Sequence, residues 1–555
     1  MSEHGDMLAR SGDTEATDAT EVVEAMARPI DPTGISNLDM VLGGGLQRGS
    51  LTLLVGPPGC GKTTLAGQMA FAAAAAGRRV LIVASLSEPV TKLLAHLRTF
   101  RFYDEALVGD ALRVHSLQQF LPHGLATTGR ELVEIIRTER VDLVVLDGFG
   151  SIRDVDGNPQ AAREFLYNVS AALSLQGATT VITVEGRANE PNFHREATTA
   201  DVILSLDVTR DNVRAHRWLE VMKARGTSTI SGLHGLTIDG SGAKVRPRLE
   251  TRAMEAEHGL QARTDPTPAM ATAASARAMF GLPRLDAVLG GGLPRETSTL
   301  VLGGVGTGKT LLGLMFALAG AASGEPTIYL SLRENRRQLL SKAEAFGFGE
   351  AMRAALAPGG HLTLLRRPPV ELDIDRLADE LLTEFDRMGA QRLVIDSIAE
   401  WERAVGEGSD PRRVSNHLAA LIEILGERRV TSLIIRETDG LLNRDGDLTS
   451  GTLPATVENV VRLAQVSHRQ RSHRILTFPK LRGAPSDPTV YAFVLTTGEG
   501  FRVLGAFRGD SDISEALSEH EVIDIRGTPP PSSTMGPSPE DDLERTDGDP
   551  DQGST

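Results

Sequence analysis

Two short stretches of this chain share the pattern GxxxxGK(S/T), which is typical of loops that bind phosphate groups. They read "GPPGCGKTT" at 56–64 and "GGVGTGKTL" at 303–311. In such a loop, backbone N–H groups surround a phosphate at the positive end of the following helix, and the lysine contacts the β- and γ-phosphates. The sequence therefore predicts two nucleotide sites. The candidate binding residues are Gly56, Gly59, Gly61, Lys62, Thr63, Thr64, Gly303, Gly306, Gly308, Lys309, Thr310 and Leu311.

Each loop is also matched with residues suited to holding a magnesium ion. Thr63 and Thr310 directly follow the loop lysines, and a threonine hydroxyl at this position ligates Mg²⁺. Asp147 and Asp396 each end an apolar run, "VDLVVLD" and "QRLVID". A carboxylate at the end of such a strand can hold the water shell of the ion beside the phosphates. We therefore expect Mg²⁺ as a cofactor at these four residues.

The two loops belong to a tandem repeat. "TGISNLDMVLGGGLQRG" before the first loop is echoed by "FGLPRLDAVLGGGLPRE" before the second. The aspartates of these stretches, Asp39 and Asp286, are separated by the same number of residues as Lys62 and Lys309. "VMKARG" and "FPKLRG" recur later in the same order. The order of the landmarks predicts two domains of the same kind.

The repeat places the first domain at 28–250 and the second at 279–508. The segment between them, 251–278, lacks sustained periodicity and is rich in Ala, Thr and Pro, which suits a linker. The N-terminal 1–27 is polar and acidic, and 509–555 ends in an acidic, proline-rich stretch with almost no apolar residues. Such ends cannot offset the entropy of ordering, so we predict that both are disordered.

Short apolar runs alternate with longer helical patterns inside each predicted domain. Examples from the first are "LTLLVG", "RVLIVAS", "VDLVVLDG" and "TTVITVEG". This alternation is typical of a mostly parallel sheet with helices on both faces. The predicted fold class is therefore α/β, and each phosphate loop follows a strand and opens a helix, as phosphate binding requires.

The composition limits the class of protein. At 555 residues the chain is longer than one hydrophobic core supports, so at least two domains are expected. The formal net charge of −15 disfavours broad nonspecific binding to nucleic acid or to an anionic membrane. Cys60 is the only cysteine, and the start "MSEHGDMLAR" has no apolar leader. The most apolar run, 66–76, is too short to span a bilayer, so we expect a cytoplasmic protein without membrane contact.

Taken together, these motifs resemble the double-domain KaiC-type ATPases of the RecA superfamily. The resemblance covers 28–508 and rests on "TGISNLD", both phosphate loops, "LDG", "IDS" and "RWLEVMKARGTS". It implies two tandem RecA-like P-loop NTPase domains that bind ATP and Mg²⁺. It also implies a ring of identical subunits, with a hexamer as the family's form.

The stretch "RWLEVMKARGTS" is similar to the family segment whose lysine and arginine project into the ATP site of the neighbouring subunit. The resemblance implies this role for Lys223 and Arg225 in the first domain and for Lys480 and Arg482 in the second. Without it, each Lys-x-Arg is a common pattern of a basic strand.

The sequence departs from the family at the catalytic glutamates. The family typically has two adjacent glutamates after the strand that follows the phosphate-loop helix, and the first polarises the attacking water or hydroxyl. Here "ASLSEPVTKLL" and "LSLRENRRQLL" place Ser87 and Arg333 at the first position. Serine is no base at neutral pH without help, and arginine is permanently cationic. Either Glu88 and Glu334 take the catalytic role or hydrolysis is slow, unless the alignment is shifted by one residue.

A second departure concerns autophosphorylation, for which clock-type members carry adjacent Ser and Thr acceptors in the second domain. Counting back from "KLRG" places Pro454 and Ala455 at those positions, and neither side chain accepts a phosphate. Other hydroxyls lie close by, at Thr449, Ser450, Thr452 and Thr456. Ser/Thr autokinase activity is therefore an alternative that the sequence disfavours.

Three functions are compatible with these residues. The first is an ATP-hydrolysing ring whose nucleotide-driven changes of shape signal to a protein partner. The second is a DNA-dependent ATPase of the recombinase or helicase kind, for which "EGRANEPNFHREATTA" offers Arg187, His194 and Arg195. The chain lacks an aromatic and basic stacking set, and its charge is strongly negative, which disfavours nucleic acid as a partner. The third is a nucleotide-gated scaffold with little turnover.

Overall fold

The structure of the protein is a computed structural model. It describes 29–85, 88–120, 124–149, 159–187, 197–211, 214–254, 277–370, 372–406, 411–438, 452–468, 471–482 and 487–507. Both predicted disordered ends and most of the predicted linker lie outside the described residues. So do Ser87, His194, Arg195, Thr449 and Ser450.

The chain forms two units. The first consists of Met1–Thr264, Asp373–Glu384 and Ala404–Ile424, and the second of Asp265–Leu372, Phe385–Arg403 and Leu425–Thr555. Each unit contains one large sheet and one of the two phosphate loops. The domain boundaries at 28–250 and 279–508 stay predictions.

The bounds of the regular elements follow in chain order. The strands are β1 Ile30–Asp31, β2 Leu46–Gln47, β3 Leu51–Gly56, β4 Val80–Ala84, β5 Leu112–Ser116, β6 Leu143–Leu146, β7 Thr179–Glu185, β8 Val202–Asp211, β9 Arg214–Ala224, β10 His234–Asp239, β11 Gly242–Arg246, β12 Arg277–Ala278, β13 Leu293–Pro294, β14 Ser298–Gly303, β15 Thr327–Ser331, β16 Leu362–Arg366, β17 Arg392–Asp396, β18 Thr431–Glu437, β19 Asn459–His468, β20 Arg471–Lys480, β21 Asp487–Thr496 and β22 Gly500–Phe507. The α-helices are α1 Leu38–Val41, α2 Lys62–Ala75, α3 Val90–Leu97, α4 Leu125–Glu139, α5 Pro159–Leu175, α6 Pro283–Val288, α7 Lys309–Ala322, α8 Arg336–Ala345, α9 Gly349–Ala355, α10 Ile374–Met388, α11 Ile398–Gly406, α12 Pro411–Glu427 and α13 Thr452–Thr456. Short 3₁₀ helices cover Glu105–Leu107 and Leu117–Gln119.

The two large sheets have the same topology. Among the described residues the first runs in the order β11-β10-β9-β8-β3-β7-β6-β4-β5 and the second in the order β16-β15-β17-β18-β14-β19-β20-β21-β22. In the first sheet the adjacent strands β5, β4, β6, β7, β3 and β8 pair in parallel, and in the second sheet β16, β15, β17, β18, β14 and β19 do so. The remaining pairs are antiparallel. In each sheet the strand before the phosphate loop lies between two parallel neighbours. The predicted α/β class with a mostly parallel sheet is confirmed.

Successive side chains of a strand point to opposite faces of a sheet, and helices cover both faces of the first sheet. Leu54 packs in one apolar cluster with Ala70 of α2, whereas Leu53 packs in another with Leu132 of α4 and Phe165 of α5. In the second unit, Val301 of β14 packs with residues of α7, and its neighbours Leu300 and Leu302 are also buried. The strands before the loops are therefore fixed from both sides.

The most apolar run of the sequence, 66–76, forms most of α2. Nearly every residue of this helix is buried, so its apolar character reflects packing against the sheet. In the described part of the chain, none of the helices combines the length and the apolar character that crossing a membrane requires.

Candidate nucleotide-binding sites

Each phosphate loop connects the C-terminal end of a central strand to the first turn of a buried helix. In the first unit the loop spans the residues between Gly56 of β3 and Lys62 of α2, and in the second those between Gly303 of β14 and Lys309 of α7. Its last residue must be glycine. Gly61 has a φ of 111°, and a Cβ there would lie 2.3 Å from Ile238 Cδ1. The N–H groups of the first helical turn therefore face a loop that is already shaped for an anion.

The loop lysines are buried and held by loop carbonyl oxygens. Lys62 Nζ donates to Gly56 O at 2.8 Å and to Pro57 O at 3.0 Å, and Lys309 Nζ donates to Gly304 O at 2.6 Å. Burial lowers the pKa of Lys309, although nearby acidic groups oppose this shift. A phosphate offers such an ammonium a charged acceptor in place of neutral carbonyls, which is a stronger interaction. The ammonium groups of both lysines therefore lie where the phosphate is expected to bind.

The predicted magnesium residues meet in both sites. Thr63 Oγ1 donates to the Asp147 carboxylate at 3.2 and 3.1 Å, and the side chain of Thr310 is hydrogen-bonded to Asp396. Hydroxyl and carboxylate oxygens are the ligands that Mg²⁺ prefers. The residues present therefore fit a magnesium ion bound with the nucleotide.

Sequence reasoning missed two residues that orient these aspartates. Thr183 Oγ1 donates to Asp147 Oδ1 at 2.6 Å, and Tyr329 O–H donates to Asp396 Oδ2 at 2.8 Å. Burial raises the pKa of Asp396 above its ordinary value, against the hydrogen bonds from Thr310 and Tyr329, and burial also raises the pKa of Tyr329 well above its usual range. A polar aromatic residue inside the apolar strand "TIYLS" was the available signal.

A cavity of about 330 Å³ lies at the second loop. This volume is in the range of small-molecule sites, about 300–1,000 Å³. Its lining includes most of the predicted second-site residues, namely Gly306, Gly308, Lys309, Thr310, Leu311 and Asp396. Arg333, Glu334 and Glu437 also line it, whereas of the described residues neither Lys480 nor Arg482 does.

The segments that carry the predicted catalytic glutamates differ in length. Five residues separate β4 from α3 in the first unit, and four separate β15 from α8 in the second. Counted from the strands, Glu334 corresponds to Ser87, and counted from the helices it corresponds to Glu88. Glu88 is half-buried, and Glu334 accepts a hydrogen bond from Lys342 Nζ at 2.5 Å. The assignment of both glutamates as catalytic stays a prediction.

The residues predicted to enter the ATP site of a neighbouring subunit adopt matching arrangements in the two units. Lys223 Nζ donates to Ala197 O at 2.9 Å, and Lys480 Nζ donates to Val457 O at 2.6 Å. Burial lowers the pKa of Lys223, and the neighbouring Arg225 lowers it further. Arg225 and Arg482 are exposed. The two lysines therefore lie at the ends of β9 and β20, and the arginines follow these strands with their guanidinium groups accessible.

Each of these arginines is linked to the strand before its phosphate loop. Arg225 lies 3.7 Å from Asp201, whose carboxylate accepts a hydrogen bond from the N–H of Leu51 at 3.0 Å. Arg482 lies 3.6 Å from Glu458, which accepts from Ser298 N–H at 2.9 Å. An acidic residue thus joins the exposed arginine to the first residue of the loop strand in both units.

The two positions expected for phosphate acceptors lie in the short helix α13. The carbonyl oxygens of Pro454 and Ala455 accept from Lys480 Nζ at 3.4 and 3.3 Å. Neither side chain carries a hydroxyl, so α13 offers no acceptor at these positions. Thr456 is half-buried in the same helix.

Comparison with known proteins identifies similar chains over the same regions. The family model "ATPase: KaiC" matches 31–250 and 279–506. The chain is 23% identical over 522 residues to the circadian clock oscillator protein KaiC of Parathermosynechococcus lividus, covering 90% of this chain and 91% of that protein. It is 24% identical over 507 residues to the protein of the same name from Synechococcus elongatus, covering 89% and 92%. It is 23% identical over 512 residues to the circadian clock protein KaiC3 of a Synechocystis species, covering 88% and 96%.

Proposed function

Because the chain belongs to the KaiC ATPase family, we propose that it forms a ring in which both sites bind ATP with Mg²⁺ and signal their nucleotide state to a protein partner. The chain is a KaiC-like ATPase with two tandem RecA-like domains. The observation that carries the two-site proposal is the pair of preformed loops, each with a buried lysine and a threonine in contact with an aspartate.

The residues of each site have separate tasks in this proposal. Lys62 and Lys309 exchange their carbonyl partners for the β- and γ-phosphates, and the first helical turns supply N–H donors. Thr63 with Asp147, and Thr310 with Asp396, hold the magnesium ion or its water shell. A magnesium ion held by these residues would supply positive charge against the charge that develops on the phosphate oxygens.

The placement of Lys223, Arg225, Lys480 and Arg482 supports the proposed ring. Arg225 and Arg482 are exposed, and among the described residues neither Lys480 nor Arg482 lines the cavity of its own subunit. A neighbouring copy of this chain is the partner that the family resemblance assigns to them. Each arginine would contact the neighbour's nucleotide and is paired with Asp201 or Glu458. Through this acidic residue, a change in the neighbour's nucleotide would reach the strand before the arginine's own phosphate loop.

The partner that receives the signal is proposed to be a protein. The similar proteins are named circadian clock proteins, which points to a signalling role. The formal charge of −15 disfavours the DNA-dependent alternative, because nonspecific DNA binding depends on neutralising phosphates with cations.

ATP with Mg²⁺ is expected to drive assembly. Size-exclusion chromatography with light scattering measures the mass of the full chain with and without nucleotide. Replacing both Lys480 and Arg482 with alanine weakens assembly, since each second site then loses two cationic contacts from its neighbour. Arg137→Ala, which removes an exposed arginine paired with Glu134 on α4, is the matched control and leaves assembly unchanged. A chain that stays monomeric in saturating ATP refutes the ring.

ATP labelled on its γ-phosphate distinguishes hydrolysis from autophosphorylation. We expect the label to leave as free phosphate and not to accumulate on the protein, because Pro454 and Ala455 offer no hydroxyl. Acid precipitation of the protein separates the two pools. Stoichiometric label on Thr449, Ser450, Thr452 or Thr456, abolished by Lys309→Ala, identifies an autokinase instead.

A further inference from the structure

We propose that an ion-pair cluster of Arg333, Glu400 and Glu437 holds the second site in an ATP-retaining state, because it keeps the Glu437 carboxylate from accepting the proton of the attacking water. This inference rests on the proposed function, because it requires that the second site binds ATP. It assigns Arg333 as a positioning residue that acts through Glu437.

Glu437 is fixed beside the start of the second phosphate loop. It ends β18, and in the parallel pairing of β14 with β18 it lies opposite Gly303, the first glycine of the loop. The next residue, Thr438, donates its N–H to Gly303 O at 3.1 Å. The Glu437 side chain lines the same cavity as Lys309 and Thr310. The carboxylate therefore belongs to the part of the site where the terminal phosphate is expected.

Arg333 binds this carboxylate and a second, more deeply buried one. Its guanidinium contacts Glu437 through Nη1 and lies 2.7 Å from Glu400 Oε1 through Nε. The Glu400 side chain is only 3% exposed, and its other oxygen accepts from Ser397 Oγ at 2.9 Å. Glu400 thus anchors the arginine, and the anchored arginine holds Glu437.

Glu334, the predicted catalytic glutamate of this site, also forms an ion pair. Glu334 forms an ion pair with Lys342 at 2.5 Å, and its backbone oxygen accepts from Ser331 Oγ at 2.7 Å. Both glutamates that line the second cavity are therefore paired with a cation. A carboxylate in such a pair is a weaker proton acceptor, because the neighbouring cation stabilises its ionised form.

The ion pairs of the second site slow the proton transfer of ATP hydrolysis. In hydrolysis the water oxygen forms a bond to the γ-phosphorus, and the bond from that phosphorus to the bridging oxygen breaks. The bridging oxygen leaves with ADP, and the proton of the water passes to the carboxylate. A Glu437 that remains paired with Arg333 does not take this proton readily.

The first site has the same glutamate without the same cation. Glu185 ends β7 and lies opposite Gly56 in the pairing of β3 with β7, as Glu437 lies opposite Gly303. It is exposed, and the described part of the chain contains no basic side chain in ion-pair contact with it. We therefore assign most of the ATP turnover to the first site and most of the ATP retention to the second.

The test isolates the second site in the full chain by using Lys62→Ala as the parent. Free phosphate release measures turnover, and the ATP and ADP that stay bound after rapid gel filtration measure retention. Arg333→Gln is expected to raise phosphate release at least about tenfold, since an available general base contributes about 10²–10⁴-fold. It also shifts the bound nucleotide from ATP towards ADP. Arg333→Lys keeps a cation beside Glu437 and retains the parent behaviour.

Glu437 is tested in the double variant. Arg333→Gln with Glu437→Gln is expected to lose the gain, because no carboxylate is released. Arg353→Gln, which breaks an exposed pair with Glu344 in the same unit, is the control and changes neither readout. If Arg333→Gln unfolds on a thermal melt, Glu400→Gln loosens the same arginine and is expected to give a smaller gain.

Two results overturn the inference. One is an unchanged ratio of bound ATP to ADP together with unchanged phosphate release in folded Arg333→Gln. The other is a gain that persists in the double variant. Failure of the proposed function looks different, because the Lys62→Ala parent then binds no nucleotide at all, whatever residue stands at position 333.

Discussion

Lys62→Ala lowers ATP turnover at the first site by about 10²–10³-fold, the usual cost of removing one preorganised group that stabilises developing phosphate charge. The buried ammonium is held by Gly56 O and Pro57 O, and no described side chain replaces its charge inside the first loop. Lys309→Ala has a different effect. It removes about half of the bound nucleotide and changes turnover little, because the first site carries most of the hydrolysis.

Phosphate release and the amount of nucleotide bound per chain, both measured on the full chain, distinguish the two variants. Lys92→Ala, which changes an exposed lysine of α3, is the matched control and leaves both quantities unchanged. Equal losses of turnover from Lys62→Ala and Lys309→Ala contradict the division of labour between the sites. Unchanged nucleotide binding in both variants contradicts the assignment of the loops.

Glu325→Ala lowers the free energy of unfolding of the second unit by about 3–5 kcal/mol, because it leaves a buried cation without its partner. That cation is Arg392, whose side chain is 1% exposed and whose Nε donates to Glu325 Oε2 at 2.5 Å. Arg392 also donates to Met279 O and Phe316 O, and its guanidinium lies 4.6 Å from the centre of the Phe316 ring. These neutral contacts cannot balance the charge.

Urea unfolding followed by Trp401 fluorescence measures this loss, since Trp401 is fully buried in the second unit. The other tryptophan, Trp218, belongs to the first unit and is replaced by phenylalanine in all variants. Glu344→Ala breaks an exposed pair with Arg353 and costs only about 0–1 kcal/mol. A loss for Glu325→Ala no larger than for this control refutes the role of the buried pair.

The same pair predicts the direction of the pH dependence. Burial by itself raises the pKa of Glu325, but the hydrogen bonds from Arg392 and Arg295 outweigh it and hold the pKa below its ordinary value. The stabilisation is therefore complete above the ordinary pKa of a glutamate and is lost as the pH falls through the lower pKa of the folded state. In Glu325→Ala this part of the acid destabilisation is absent.

The sequence by itself determined the parts of the molecule that depend on neighbouring residues. Each phosphate loop is built within a few consecutive positions, so Gly61, Lys62 and Thr63 could be assigned before any fold was known. The alternation of apolar runs and helical patterns determined the α/β class, because it records which faces are buried. The sequence also assigned Thr63 and Asp147 to the same magnesium site, and the two side chains are in contact.

Tertiary structure alone decided which polar groups meet across that edge. Tyr329 hydrogen-bonds Asp396 from a neighbouring strand. Arg333 forms ion pairs with Glu400, which follows β17, and with Glu437 at the end of β18. The sequence also could not show that the segment before Glu88 is one residue longer than the segment before Glu334. The order of the strands in the sheet brings these residues together. Spacing along the chain does not reveal this order, because the length of the crossover after a strand does not specify which strands will lie beside it.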